Sequence, residues 1–192
     1  TASGAAPGAV AMIIQLTDPL LRTFADPLDY PTPQVHQQAE ACLSELQAIP
    51  AAAQSLEMFQ CGIANLSLER LQELYTVTFD MQPLCYPYIG YHLFGESYKR
   101  GAFMAQLNET YHAHNFCPQQ ELPDHLPVAL RYLGLEPARR EDEFGSTLIV
   151  EGLLPALAKM RQVFNQQTEN PYASLLAALE LVLTPEKELT HA

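Results

Sequence analysis

Apolar residues along this chain recur at intervals of three and four, the pattern of amphipathic helices, and the alternation that marks half-buried strands is nearly absent. From Leu68, the positions Leu71, Leu74, Tyr75 and Thr78 share one face and Ser67 can cap the first turn, which predicts a helix over about 67–79. The same spacing follows Ser97 at Met104, Leu107, Tyr111 and His114, and returns at Ile149, Leu153, Leu157, Met160 and Phe164. Asn170-Pro171, a cap followed by a first-turn proline, opens a last helix with Leu175, Leu176, Leu179, Val182 and Leu183 on one side. Upstream, Thr32-Pro33 begins a helix through Cys42 and Leu46, and Thr17-Asp18-Pro19 begins one that reaches Leu28. Many of the 15 prolines therefore punctuate helix starts. Pro127 and Pro155 fall inside apolar-periodic segments instead, so a kink or break is expected at each. The expected fold is all-α: a single-domain helical bundle over residues 11–184, between a flexible segment 1–10 and a short tail 185–192.

Composition narrows the picture. Ten Lys and Arg against 22 Asp and Glu give 192 residues a formal charge of −12, which argues against nucleic-acid binding and favours a basic partner. Hydrophobic residues make up 48% and charged residues 17%, enough for a sizeable core. No apolar run approaches the ~20 residues that span a bilayer. The Gly/Ala-rich start lacks the basic and apolar regions of a signal peptide. Four dispersed cysteines, Cys42, Cys61, Cys85 and Cys117, form no CxxC pair and are expected to be reduced, buried and structural in a cytoplasmic protein.

Candidate chemistry is sparse. His112, His114 and Cys117 invite a zinc reading, with Asp124 or His125 as a fourth ligand, but HxH on a helix sets the rings about 200° apart. No phosphate-binding glycine motif is present, and no local signature supports a catalytic cysteine paired with His92 or His125. Glu141-Asp142-Glu143 read as a solvated helix start. No enzyme is indicated.

The two least regular stretches, 81–91 and 115–127, lie within the densest region of the chain. Aromatic residues (Tyr86, Tyr88, Tyr91, Phe94, Tyr98) stand there beside acids (Asp80, Glu96, Glu121, Asp124), flanking loops. The plain reading makes the aromatics core and the acids caps, with Asp80 ending one helix, Ser97 starting the next and Asp124 capping a helix over Leu126–Leu133. The cluster as a whole suits a groove for an apolar, positively charged peptide.

These residues resemble the NarJ-like branch of the TorD/DmsD redox-enzyme maturation chaperones, also called nitrate reductase delta subunits. Tyr75, Phe79 and Asp80 match the first motif of that branch. His92, Gly95, Glu96, Ser97, Arg100 and Gly101 match the second, in which Tyr98 stands where the family usually has an arginine. The run Glu121-Leu122-Pro123-Asp124-His125-Leu126-Pro127 matches the third throughout. Asp29-Tyr30-Pro31 and Asn170-Pro171-Tyr172 are weaker echoes, so the likeness covers about 17–183.

The resemblance implies an all-helical cytoplasmic chaperone, not an enzyme. It would bind the N-terminal, twin-arginine-like segment of the apo catalytic subunit of a molybdopterin oxidoreductase until cofactor is inserted. The molybdopterin belongs to the client, and the chaperone binds no cofactor stably. On this reading Asp80, Glu96, Glu121 and Asp124 face the basic part of the peptide, Tyr88, Tyr91, His92 and Phe94 line its apolar part, and Arg100 and His125 complete the site. An unperturbed His125 would titrate near neutrality and lend binding a mild pH dependence. A monomer is expected, a domain-swapped dimer being the alternative. Competing functions are a permanent accessory subunit of the finished enzyme and a metal-dependent enzyme built on His112, His114 and Cys117.

Overall fold

The computed structural model describes residues 18–118, 120–166 and 169–184, and among them the backbone is helical and carries no strand. Segments 1–10 and 185–192 and the proposed cap Thr17 lie outside the described residues. The helices are α1 (Asp18–Ala25), α2 (Val35–Ser44), α3 (Pro50–Ile63), α4 (Leu68–Tyr75), α5 (Ile89–Phe94), α6 (Tyr98–Ala113), α7 (Leu126–Leu133), α8 (Ala138–Glu141), α9 (Glu143–Thr147), α10 (Leu154–Val163) and α11 (Pro171–Leu183).

The caps follow the side chains. Ser67 accepts from the Arg70 amide, Asp142 from Gly145 and Asn170 from Tyr172, each closing an orphan N–H of a first turn. Asn170 also donates through Nδ2 to Thr78 Oγ1 at 3.0 Å, tying the start of α11 to the end of α4. Ser97 stands at the start of α6 without a side-chain cap bond.

Both ends of the core are helix pairs. α3 and α11 make the most extensive pairing, with the Phe59 and Tyr172 rings 5.7 Å apart and Gly62 against Pro171. α1 packs on α7, and α10 packs on both α5 and α11. Tyr75, Phe79 and Tyr172 form a ring cluster, the last two at 4.9 Å. Burial of such side chains contributes ~1.5–3 kcal/mol each.

Several boundaries differ from the periodic pattern for local reasons. α1 stops at Ala25 rather than Leu28, because Pro27 supplies no N–H and disfavours helical geometry at Asp26; Leu28 is nonetheless buried. α2 begins at Val35, after a turn closed by its amide on Thr32 O, and Leu46 enters the core just beyond the end of α2. Pro127 does not kink a helix; it stands in the first turn of α7. Pro155 cannot return a hydrogen bond to Glu151, and the residues before it, Leu148–Leu153, take the wider π winding. α4 also widens, into a π turn over Thr76–Asp80 that closes with Met81 N–H on Thr76 O. Cys42 and Cys85 are buried, which pushes both thiols up to about 12, whereas Cys61 and Cys117 are exposed, against expectation.

Candidate functional site

Two loops that are distant in sequence are joined by backbone. Ile89 N–H donates to Asp124 O at 2.8 Å and Leu126 N–H donates to Pro87 O at 2.9 Å, so Tyr88 and His125 face each other as an antiparallel pair. Tyr88 (φ −120°, ψ 118°) and His125 (φ −65°, ψ 130°) both hold extended backbone just ahead of a helix, which permits this pairing.

Asp124 lies beneath the splice, fully buried, where its carboxylate accepts from Arg100 Nε at 2.8 Å and Nη2 at 3.3 Å. That bond is the main reason the Arg100 guanidinium is held above its usual range. A Cβ at position 90 would stand 2.7 Å from Asp124 Oδ2 and 3.0 Å from Phe103, so Gly90 lets α5 lie directly on the ion pair. Tyr111 donates from its hydroxyl to Pro123 O at 3.1 Å. The group forms a clasp that fixes α5, α6 and the loop into α7.

The Asp124 carboxylate, expected at the surface, is therefore turned inward onto Arg100, and it does not cap α7, whose cap position is His125 with no side-chain bond. His125 is 3% exposed, and among the described residues its Nδ1 has no hydrogen-bond partner. Burial depresses its pKa to about 4, so the ring is neutral near pH 7 and supplies no switch there. Both corrections have one physical cause: the splice turns the Asp124 and His125 side chains inward.

Tyr88 occupies the mouth of the clasp. Its ring centroid is 5.2 Å from the Arg100 guanidinium and 5.3 Å from the His125 ring, and its hydroxyl is close enough to the Glu121 carboxylate for each to influence the other's ionisation. Glu121 is raised above the ordinary carboxylate range, first by desolvation and then by Asp29 and Asp80. Acids from three separate segments, Asp29, Asp80 and Glu121, are thus within electrostatic reach of one another beside Tyr88. Arg131 partners Asp29 at 2.8 Å and Asp26 at 3.2 Å. Asp29 joins the site although its Asp-Tyr-Pro motif is only a weak echo, because α1 must pack on α7 before the two meet.

A second group adjoins the first. The Tyr86 and Tyr91 rings lie 4.0 Å apart, and His92 Nε2 donates to Tyr86 O at 2.7 Å, its pKa lowered chiefly by burial. Lys159 of α10 donates to His92 O at 2.6 Å. Glu96 is exposed and close enough to influence Tyr91 and Arg100. Phe94 instead turns toward Phe103 of α6, with ring centroids 5.7 Å apart. Tyr98, in the arginine position of the motif, is 86% exposed.

The zinc constellation does not assemble. His112 Nδ1 lies 3.4 Å from Cys117 Sγ, while His114 Nδ1 bonds the Tyr132 hydroxyl at 2.8 Å. Among the described residues no three His, Cys, Asp or Glu side chains are placed to hold one ion. A cleft of about 290 Å³ between α3, α10 and α11 is lined by Ser55, Met58, Phe164 and Ala173, with Arg161, which is already paired to Glu180. No described helix is long and apolar enough to cross a membrane.

The all-helical domain that carries these two spliced loops is similar to known proteins. The model of the nitrate reductase delta subunit family matches residues 39–178, and the chain belongs to that family. It is 31% identical over 160 residues to the nitrate reductase molybdenum cofactor assembly chaperone NarJ of Escherichia coli, covering 79% of this chain and 64% of that protein. Over 70 residues it is 39% identical to the probable NarJ of Bacillus subtilis, covering 36% of this chain and 38% of that protein. The matches thus span less than two thirds of either relative. A redox enzyme maturation protein from Archaeoglobus fulgidus shares the fold at a TM-score of 0.58 and 22% identity, over 85% of this chain and 91% of that one.

Proposed function

We propose that this chain is a cytoplasmic maturation chaperone that binds the N-terminal segment of an apo molybdopterin oxidoreductase subunit and holds it for cofactor insertion. The observation that carries the reading is Tyr88 on the spliced loops with Glu121 beside it, and Asp29 and Asp80 within electrostatic reach of Glu121. Carboxylates flanking an aromatic ring complement a segment that carries cations next to apolar residues. The named role of the NarJ relatives in molybdenum cofactor assembly supports the same client class. A net charge of −12 would speed capture of a basic segment at low salt.

The test is fluorescence anisotropy with a labelled peptide of the first 20 or so residues of the host's respiratory nitrate reductase catalytic subunit. Glu121→Gln with Asp80→Asn is expected to weaken binding about tenfold, a loss of ~1.4 kcal/mol. The affinity of the unaltered protein should also fall as salt rises. Unchanged affinity in the double variant would remove the acids from the site. Co-purification with the apo subunit, and not with the cofactor-loaded enzyme, separates a chaperone from a permanent accessory subunit.

A further inference from the structure

The sequence reading seats the apolar part of a client on Tyr88, Tyr91, His92 and Phe94. The structure exposes a different apolar surface. Thr78 and Phe79 point inward, Thr78 onto Asn170 and Phe79 onto Tyr75 and Tyr172. The same π turn leaves Val77 60% and Met81 72% exposed, with the Asp80 carboxylate between them in sequence and also exposed.

The chain after Met81 turns back on that surface. Gln82 takes a left-handed conformation, φ 49°, after which Leu84 N–H donates to Val77 O at 3.2 Å and Cys85 N–H donates to Thr78 O at 2.9 Å. This return places Tyr86, stacked on Tyr91, beside the π turn. Val77, Met81 and Tyr86 are the exposed apolar side chains of the π turn and of the arm that returns on it, a strip that Tyr91 joins through its stacking on Tyr86 and that the exposed Asp80 interrupts.

We infer that this strip, and not the Phe94 side of α5, seats the apolar residues of the client segment, with the client's cation lying against Asp80 and Glu121. Charge chooses the occupant. Asp80 and Glu121 influence each other, and among the described residues no ion pair neutralises either. A second copy of this chain would bring like charge against like. A segment with one or two cations followed within a few residues by apolar side chains satisfies both halves of the surface at once.

This inference rests on the proposed function and specifies the seat within it. Val77→Ser/Met81→Ser alters only exposed side chains, so the fold should persist, as circular dichroism and the thermal midpoint will show. The probe is the labelled nitrate reductase peptide, beside a version with its leucines, isoleucines and valines replaced by serine. The double variant should bind the native peptide about tenfold more weakly and the serine peptide no differently from the unaltered chaperone. Met58→Ser, an exposed methionine on α3, serves as control and should change nothing. If Val77→Ser/Met81→Ser binds the native peptide at full strength while Glu121→Gln still weakens it, the seat is elsewhere and the chaperone reading stands. If the unaltered protein binds no peptide, the function and the seat fall together.

Discussion

Arg100 and Asp124 are unequal partners. Asp124 is wholly buried, whereas the Arg100 side chain retains 16% exposure and lies against Tyr88, with a path to water. Removing the arginine strands a buried carboxylate, a situation that costs ~3–5 kcal/mol. Asp124→Asn keeps the shape and an acceptor oxygen and lets Arg100 relax outward, so its cost should stay near ~1–3 kcal/mol. Urea unfolding should rank Arg100→Ala as the more damaging change; the reverse order would mean that Arg100 is not the group that makes Asp124 tolerable inside. Both residues stood out in the sequence as peptide contacts. Their motif positions were legible, but burial depends on the meeting of α5, α6 and the loop before α7, which no local pattern encodes.

Among the elements, α4 and α11 were readable from their caps Ser67 and Asn170 together with an apolar face, and α6, which has no side-chain cap, from the spacing of Leu107 and Tyr111. α3 was not foreseen. Its Ala52, Leu56, Phe59 and Ile63 do fall on one face, but Ala51, Ala53, Met58 and Cys61 put small or apolar residues on the others and blur the period. The two π turns were also invisible, since a π turn differs from an α turn by one residue of winding. The short α5 owes its position to Gly90 more than to propensity. Gly90→Ala would drive a methyl group into Asp124 Oδ2 and Phe103. That substitution normally favours a helix by ~1 kcal/mol, so net destabilisation measured by chemical denaturation, with weaker peptide binding, is the expected signature of the close approach.

For the molecule as a whole, His125 couples stability to acidity. Its folded pKa of about 4 lies below the ~6.5 of an unfolded histidine, so its contribution is complete above pH 6.5 and is lost as pH falls from there toward 4. By pH 4.5 the loss should reach roughly 2–3 kcal/mol, while carboxylates titrate in every variant. Urea midpoints at pH 7 and 4.5 should therefore fall further in the unaltered protein than in His125→Gln; parallel falls would show that the ring ionises freely in the folded state. Asp29, Arg131 and Asp124 surround the ring, and the first and last of these oppose the shift without overcoming desolvation.

The clasp separates what holds the loops from what the loops present. Gly90, Arg100, Asp124 and the two backbone bonds set the shape of the mouth from within, while Asp80, Met81, Tyr86 and Glu121 sit on its rim and bear little of the fold. If the rim seats a client as proposed, a designer could retarget the protein by exchanging the rim wholesale, leaving the frame untouched and the stability nearly unchanged.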